Sequence, residues 1–210
     1  MSVVYQVDPH RISYREDGYC EFWEREPDLV LHQTDDAEPH IDTYRFPMKE
    51  DAKLGDRIVY LTGGMSDMIQ PGTEDHHEIF QRMEFFTYAR RIVMNASGST
   101  DFIGWVVGWM AHYPFEQKTC FQQGETFDWG SPIIPGSDMH GFYFAHLPLE
   151  DKEHLCELSG TAKTILHLVT LSRKELDYRM EHGIEKLLDL LEEHSLPPFF
   201  DLDRRCLFST

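Results

Sequence analysis

The sequence predicts an α+β fold, a mixed and mostly antiparallel β-sheet flanked by helices. Three observations carry this. Ile58, Val59, Tyr60 and Leu61 form an apolar run without alternation, the pattern of a strand buried on both faces. Phe102, Trp105, Val106, Trp109, Met110 and Tyr113 recur with the 3.6-residue period of a core helix. Ile165, His167, Val169 and Leu171 alternate with Leu166, Leu168 and Thr170, and Ser172 with Glu175 then makes an S-x-x-E capping box that starts another helix. No repeat, low-complexity linker or break in composition divides the chain, so residues 1–210 are read as one domain.

From the N-terminus, Val3 to Asp36 mixes aromatics with dense charge, and a helix or a hairpin both fit. Ile41 to Phe46 predicts a half-exposed strand with Tyr44 and Phe46 on one face, ended by Pro47. The central strand runs into Gly63-Gly64, which permit a tight turn, and Ser66 or Asp67 is placed to cap backbone N–H groups there. A polar loop over Gln70 to His77 turns at Pro71-Gly72. Phe80 to Tyr88 reads as a strand with Met83, Phe85 and Thr87 on one face and Arg82, Glu84, Phe86 and Tyr88 on the other.

Asn95 to Thr100 is a Ser/Gly-rich break, and Ser99, Thr100 or Asp101 can cap the next helix, which Pro114 should stop. Gly104 and Gly108 on that helix allow close approach of a neighbouring backbone. Cys120 to Phe127 and His140 to Leu147 are strand-like, with a loop over Gly130 to Gly136. His167 is expected to be a hydrogen-bonded core histidine. The last helix should run unbroken through Leu176, Met180, Ile184, Leu187, Leu188 and Leu191 to Pro197-Pro198.

The chain has 210 residues with 19 basic and 37 acidic side chains, a formal charge of −18. That charge opposes nucleic acid and anionic membranes alike. Between Glu16 and Glu78 lie 17 Asp/Glu against 5 Lys/Arg, so this stretch carries −12 of the total. Solvated loops account for such a bias, and so does a surface that attracts a basic protein. No secretory signal pattern opens the sequence, and the longest greasy stretch, Phe102 to Ala111, is about half the ~20 residues a bilayer requires. A cytoplasmic protein is expected, with Cys20, Cys120, Cys156 and Cys206 as reduced, mostly buried thiols. Asn95-Ala96-Ser97 matches a glycosylation sequon that has no meaning without secretion.

Catalytic patterns are missing: there is no G-x-S-x-G elbow, G-x-G-x-x-G turn, P-loop or H-E-x-x-H. His76-His77-Glu78, joined by His40 and Asp42, is the best metal-ligand grouping. Adjacent histidines on extended chain point apart, so it reads as solvated loop side chains, and no metal or cofactor is expected. The enzymatic alternative is a small metal-dependent or Ser/His hydrolase built from His40, Asp42, Ser66, Asp67 and His76, which requires these groups to converge in one concavity.

In order along the chain, H-I-D-T-Y-R-F-P (His40 to Pro47), Y-L-T-G-G-M-S-D (Tyr60 to Asp67), E-F-F-T-Y (Glu84 to Tyr88), W-V-V-G-W-M-A-H-Y-P-F (Trp105 to Phe115), Q-G-E-T-F (Gln123 to Phe127) and L-V-T-L-S-R-K-E-L-D-Y (Leu168 to Tyr178) resemble the suppressor of fused family. The resemblance spans residues 40 to 192. It implies a binding protein without catalytic activity, of the short bacterial type that acts as an immunity protein against polymorphic toxins. Animal members hold a partner peptide between two domains; this chain ends after the first, so that peptide site is not carried over. The signature positions the resemblance implies, mainly structural, are Asp42, Pro47, Gly63, Gly64, Met65, Ser66, Asp67, Glu84, Trp105, Pro114, Gly124 and Glu175. The expected partner is a protein, with a basic toxin domain suited to the acidic stretch.

Overall fold

The chain is seen in a computed structural model that describes residues 9–34, 37–48, 57–90, 102–194, 196 and 199–209. The Asn95 to Thr100 break, the capping choice among Ser99 to Asp101, and Pro197-Pro198 lie outside these residues. Seven strands form one sheet in the order β1-β2-β3-β4-β7-β6-β5. They are β1 (Leu29–Leu31), β2 (Asp42–Pro47), β3 (Arg57–Gly63), β4 (Met83–Arg90), β5 (Thr126–Asp128), β6 (Met139–His146) and β7 (Thr164–Ser172). The β4–β7 pair is parallel and the others are antiparallel, so the fold is α+β with a mixed sheet.

Both faces are covered, because strands such as Ile58–Leu61 carry apolar side chains in both directions. On one face α2 (Phe102–Gln117) packs on Ile58, Tyr60, Met83, Phe85, Phe142 and Phe144. On the other, α1 (Pro9–Trp23) and α3 (Lys152–Leu158) cover Tyr44, Phe46, Val59, Leu61 and Phe86. Further along that face, α4 (Arg173–His182) and α5 (Ile184–Glu193) cover Tyr143, Val169 and Leu171. No helix among the described residues is long and apolar enough to cross a membrane.

Several elements depart from expectation for identifiable reasons. The N-terminal stretch is a helix followed by the short β1, and α1 inserts Tyr19 and Trp23 into the core. Strand β2 is mostly buried rather than half exposed, since Tyr44 and Phe46 lie under α1 while Thr43 faces α2 at Gly108. Phe80 belongs to a 3-10 turn, Glu78–Phe80, where the His77 side chain accepts from the Ile79 N–H; the strand begins only at Met83.

Helix α2 continues through Pro114 to Gln117, because a proline three residues from the end removes only one late backbone bond and its ring is buried. The buried face of α2 is Ile103, Val106, Val107, Met110 and Ala111. Trp105, expected in the core, is 55% exposed. A Cβ on Gly104 would lie 2.7 Å from Leu31 Cδ1, which fixes how closely helix and sheet edge meet.

Of the Cys120 to Phe127 segment only Thr126 and Phe127 are strand, at the start of β5, since the chain turns at Gly124 (φ +86°). The C-terminal helix is broken at Gly183 (φ 88°, ψ 166°). This break turns Ile184, Leu187, Leu188 and Leu191 onto the sheet and leaves Met180 73% exposed. His167 is wholly buried, but among the described residues neither ring nitrogen has a hydrogen-bond partner. Its neighbours are the rings of Phe86 and Tyr88 at 5.5 and 5.8 Å, and burial pushes its pKa down to about 3, so it is neutral. All four cysteines are free; Cys206 is buried, whereas Cys20, Cys120 and Cys156 are partly exposed.

Candidate functional site

The signature turn joins β3 to a 3-10 turn, Met65–Asp67. Gly64 has φ +119°, and a Cβ there would lie 2.0 Å from the His40 carbonyl oxygen, so two segments meet at a distance that glycine alone permits. At the centre of the turn is the carboxylate of Glu84, wholly buried on β4. It accepts from Thr62 Oγ1 (2.7 Å), Gly64 N–H (3.0 Å), Ser66 N–H (3.0 Å) and Ser66 Oγ (2.7 Å). The turn's N–H groups are thus capped by Glu84 from the neighbouring strand, not by Ser66 or Asp67. A short local side chain reaches only its own turn, whereas β3–β4 pairing aims a longer carboxylate at three residues at once.

Helix α1 closes this hub from outside. Arg15 Nη1 lies 2.9 Å from Asp67 Oδ2, and the Tyr19 hydroxyl donates to the Thr62 carbonyl at 3.0 Å. Burial alone lowers the Arg15 pKa, but the charges of Glu84 and Asp67 outweigh it and the net shift is upward. Burial likewise pushes the Tyr19 hydroxyl well up. Thr161 donates to Asp67 (3.1 Å) and lies 3.0 Å from Ser66 Oγ. Arg82 donates to the carbonyls of Ser66 (2.7 Å) and Asp67 (2.8 Å). Arg15, Tyr19, Thr161 and Arg82 carry no local pattern that marks them, since each reaches the turn through the tertiary fold.

This arrangement holds a turn rather than performing chemistry. Ser66 is buried and its hydroxyl is engaged by Glu84 and Thr161. His40 is bonded elsewhere: its Nε2 lies 3.2 Å from Asp42 Oδ1, which also receives His32 Nδ1 (3.3 Å) and Gln33 N–H (3.2 Å). Asp67 faces α1, and His76 lies in an exposed loop. The five residues of the hydrolase alternative therefore do not converge. Among the described residues no set of three His, Cys, Asp or Glu side chains is grouped to hold a metal ion.

The remaining signature positions are spread through the fold. Pro47 pairs with Ile58 at the end of β2, and its carbonyl accepts from Arg25. A Cβ on Gly63 would press on the Tyr44 ring at 2.9 Å, and Met65 is core. Pro114 is buried in α2, and Gly124 N–H donates to the Phe144 carbonyl at 2.9 Å. Glu175 completes the capping box with Ser172 and also accepts from both Arg204 terminal nitrogens and Leu207 N–H. Burial tends to raise its pKa, but Arg204 reverses the shift and holds it below the usual carboxylate value. Trp105 alone among the signature side chains projects strongly into solvent, on the rim of a groove of about 800 Å³ between β1 and α2.

Comparison with known proteins places these features. The family model for suppressor of fused protein (SUFU) matches residues 37–205. Comparison with curated proteins gives no match. The structure is similar to that of a protein described as a SUFU homolog from Neisseria gonorrhoeae FA 1090, at 18% identity and TM-score 0.63, over 97% of this chain and 100% of that one. It is similar to a chain of the Sufu–Fu complex at 13% identity and TM-score 0.63, over 91% and 90% respectively. Drosophila Suppressor of Fused matches at 13% identity and TM-score 0.64, over 97% of this chain and 54% of that one. With the family pattern covering residues 37–205 and the same fold around it, the chain belongs to the suppressor of fused protein family.

Proposed function

We propose that this chain is a non-catalytic protein-binding module, a single cytoplasmic domain over residues 1–210, and that it acts as an immunity protein by covering a basic toxin domain. Family membership carries this reading. The Sufu–Fu complex supports it as an instance of a similar fold held with a protein partner. The signature residues favour it too, because Ser66, Asp67 and Glu84 are consumed in holding one turn and leave no nucleophile with a base. The formal charge of −18 adds long-range attraction for a basic partner.

Co-expression with the toxin domain encoded beside its gene tests the reading directly. Rescue of growth and a complex on gel filtration are expected; continued cell death with no complex overturns it. Within the acidic stretch, Asp42 and Asp67 are tied into the fold, whereas Asp17, Glu21, Glu24, Glu74 and Asp75 are exposed. Reversing those five charges should slow association about tenfold or more at low salt and much less at high salt, since screening removes the steering term.

A further inference from the structure

Between the first turns of α1 and the chain that leaves α3 lies a cavity of about 300 Å³, at the small end of the range for ligand sites. Its walls are Arg11, Tyr14 and Arg15 of α1, Asp67 of the signature turn, and Ser159 and Thr161 beyond α3. Arg15 is only 3% exposed, yet among the described residues its one ion-pair or hydrogen-bond partner is the Asp67 carboxylate, reached through Nη1, and its Nε is buried with none. A guanidinium has five N–H donors, so this one is short of acceptors at the wall of a cavity. The neighbouring hydroxyls are committed elsewhere: Ser159 donates to the Cys156 carbonyl at 2.7 Å and Thr161 to Asp67 at 3.1 Å.

We propose that this cavity binds the carboxylate of a small organic acid. The carboxylate accepts from the Arg15 guanidinium, the half-exposed Arg11 adds a second cation at the mouth, and the apolar body of the acid lies against the exposed Tyr14 ring. Asp67 is a positioning residue here, since it holds Nη1 and so fixes the plane of the guanidinium. The charges select a single negative charge. Counting His10 as neutral, two guanidiniums and one carboxylate line the cavity, a net of 2 − 1 = +1. The buried Glu84 carboxylate behind the turn leaves no surplus for a dianion, and the chain as a whole carries −18. The site does not depend on the protein-binding reading, which has its own test.

The test follows the backbone amide resonances of the isotope-labelled full chain as benzoate is added at about pH 7 and constant ionic strength, so that screening does not change during the titration. Saturable shifts are expected at Arg11, Tyr14, Arg15 and Thr161, with half-saturation at about 1 mM, an ordinary affinity for so small a ligand. Benzamide, which keeps the ring and lacks the charge, and sulfate, a dianion, should each bind at least about tenfold more weakly. Arg11→Gln should weaken benzoate about fivefold. Tyr14→Ala should bring benzoate to the level of acetate, which has no ring to lay on it. Both variants should keep the wild-type melting temperature, because both side chains are more than half exposed. Shifts that never saturate, shifts centred away from the cavity, equal binding of benzamide or sulfate, or wild-type affinity in both variants overturns the proposal.

Discussion

The guanidinium of Arg15 lies 2.9 Å from the carboxylate of Asp67, and both side chains are almost fully buried. The pair ties a helix that precedes the family-matched region, residues 37–205, to the family's signature turn. Helix α1 is therefore part of the folded body, and its charge supports the turn from outside.

Breaking this pair leaves a buried carboxylate with only the largely exposed Arg11 guanidinium, 3.8 Å away, as its cation. Arg15→Met should destabilise the protein by about 3 kcal/mol, the scale for removing one partner of a buried ion pair. Tyr19→Phe, which deletes only the bond to the Thr62 carbonyl, should cost about 1 kcal/mol. Urea denaturation of the two variants checks both; equal and negligible effects would show that α1 is merely draped on the sheet.

Glu84 accepts four hydrogen bonds in a site without water access. Glu84→Gln keeps the Oε1 acceptor but puts an amide nitrogen against the Thr62 hydroxyl, which must turn to accept it, and removes the charge that strengthens the other bonds, so it should lose about 2 kcal/mol. Ser66→Ala removes two of the hub's bonds and should cost about 1–2 kcal/mol. Thermal melts report both. Full stability of Glu84→Gln would remove the hub from the account.

The glycines of the two turns should differ sharply. Gly64→Ala places a Cβ 2.0 Å from the His40 oxygen at φ +119°, and soluble expression should be lost. Gly124→Ala has a positive φ of +86° but open space around it, so the cost should be only about 1 kcal/mol of backbone strain. Soluble yield and melting temperature decide the comparison. A stable Gly64→Ala variant that loses only partner binding would make the turn a contact surface instead.

His167 gives the protein an acid-sensitive core. Its folded pKa is about 3 against an ordinary value of 6.5, so the unfolded chain takes up a proton first as pH falls. Stability is unaffected above pH 6.5 and declines by about 1.4 kcal/mol per pH unit between there and about pH 3. Glu175 adds a separate loss below the usual carboxylate value, as Arg204 holds its folded pKa down. Measuring unfolding at pH 7 and pH 5 for wild type and His167→Phe isolates the histidine: the variant should lose about 2 kcal/mol less over this interval.

Much of this fold is written locally. The apolar run of β3, the alternation in β7 and the S-x-x-E box of α4 each depend on residues a few positions apart, and each formed where the pattern placed it. The family's ordered segments are likewise a property of the linear chain, and they determined fold and kinship before any contact was known. Three matters were decided by packing between distant elements. Which face of α2 is buried depends on Leu31 and Tyr60 meeting Gly104, so the helical period alone put Trp105 inside when the sheet leaves it out. The break at Gly183 depends on the sheet surface offered by β6 and β7, and a continuous leucine pattern does not register it. The meaning of T-G-G-M-S-D depends on Glu84, Arg15 and Thr161, whose side chains arrive from another strand, the N-terminal helix and a loop. The sequence by itself determined the elements and the family, because helix and strand propensities act over a few residues. Tertiary structure alone decided that the signature is a buried turn and that the exposed groove lies elsewhere, because burial and charge pairing act between residues far apart in the chain.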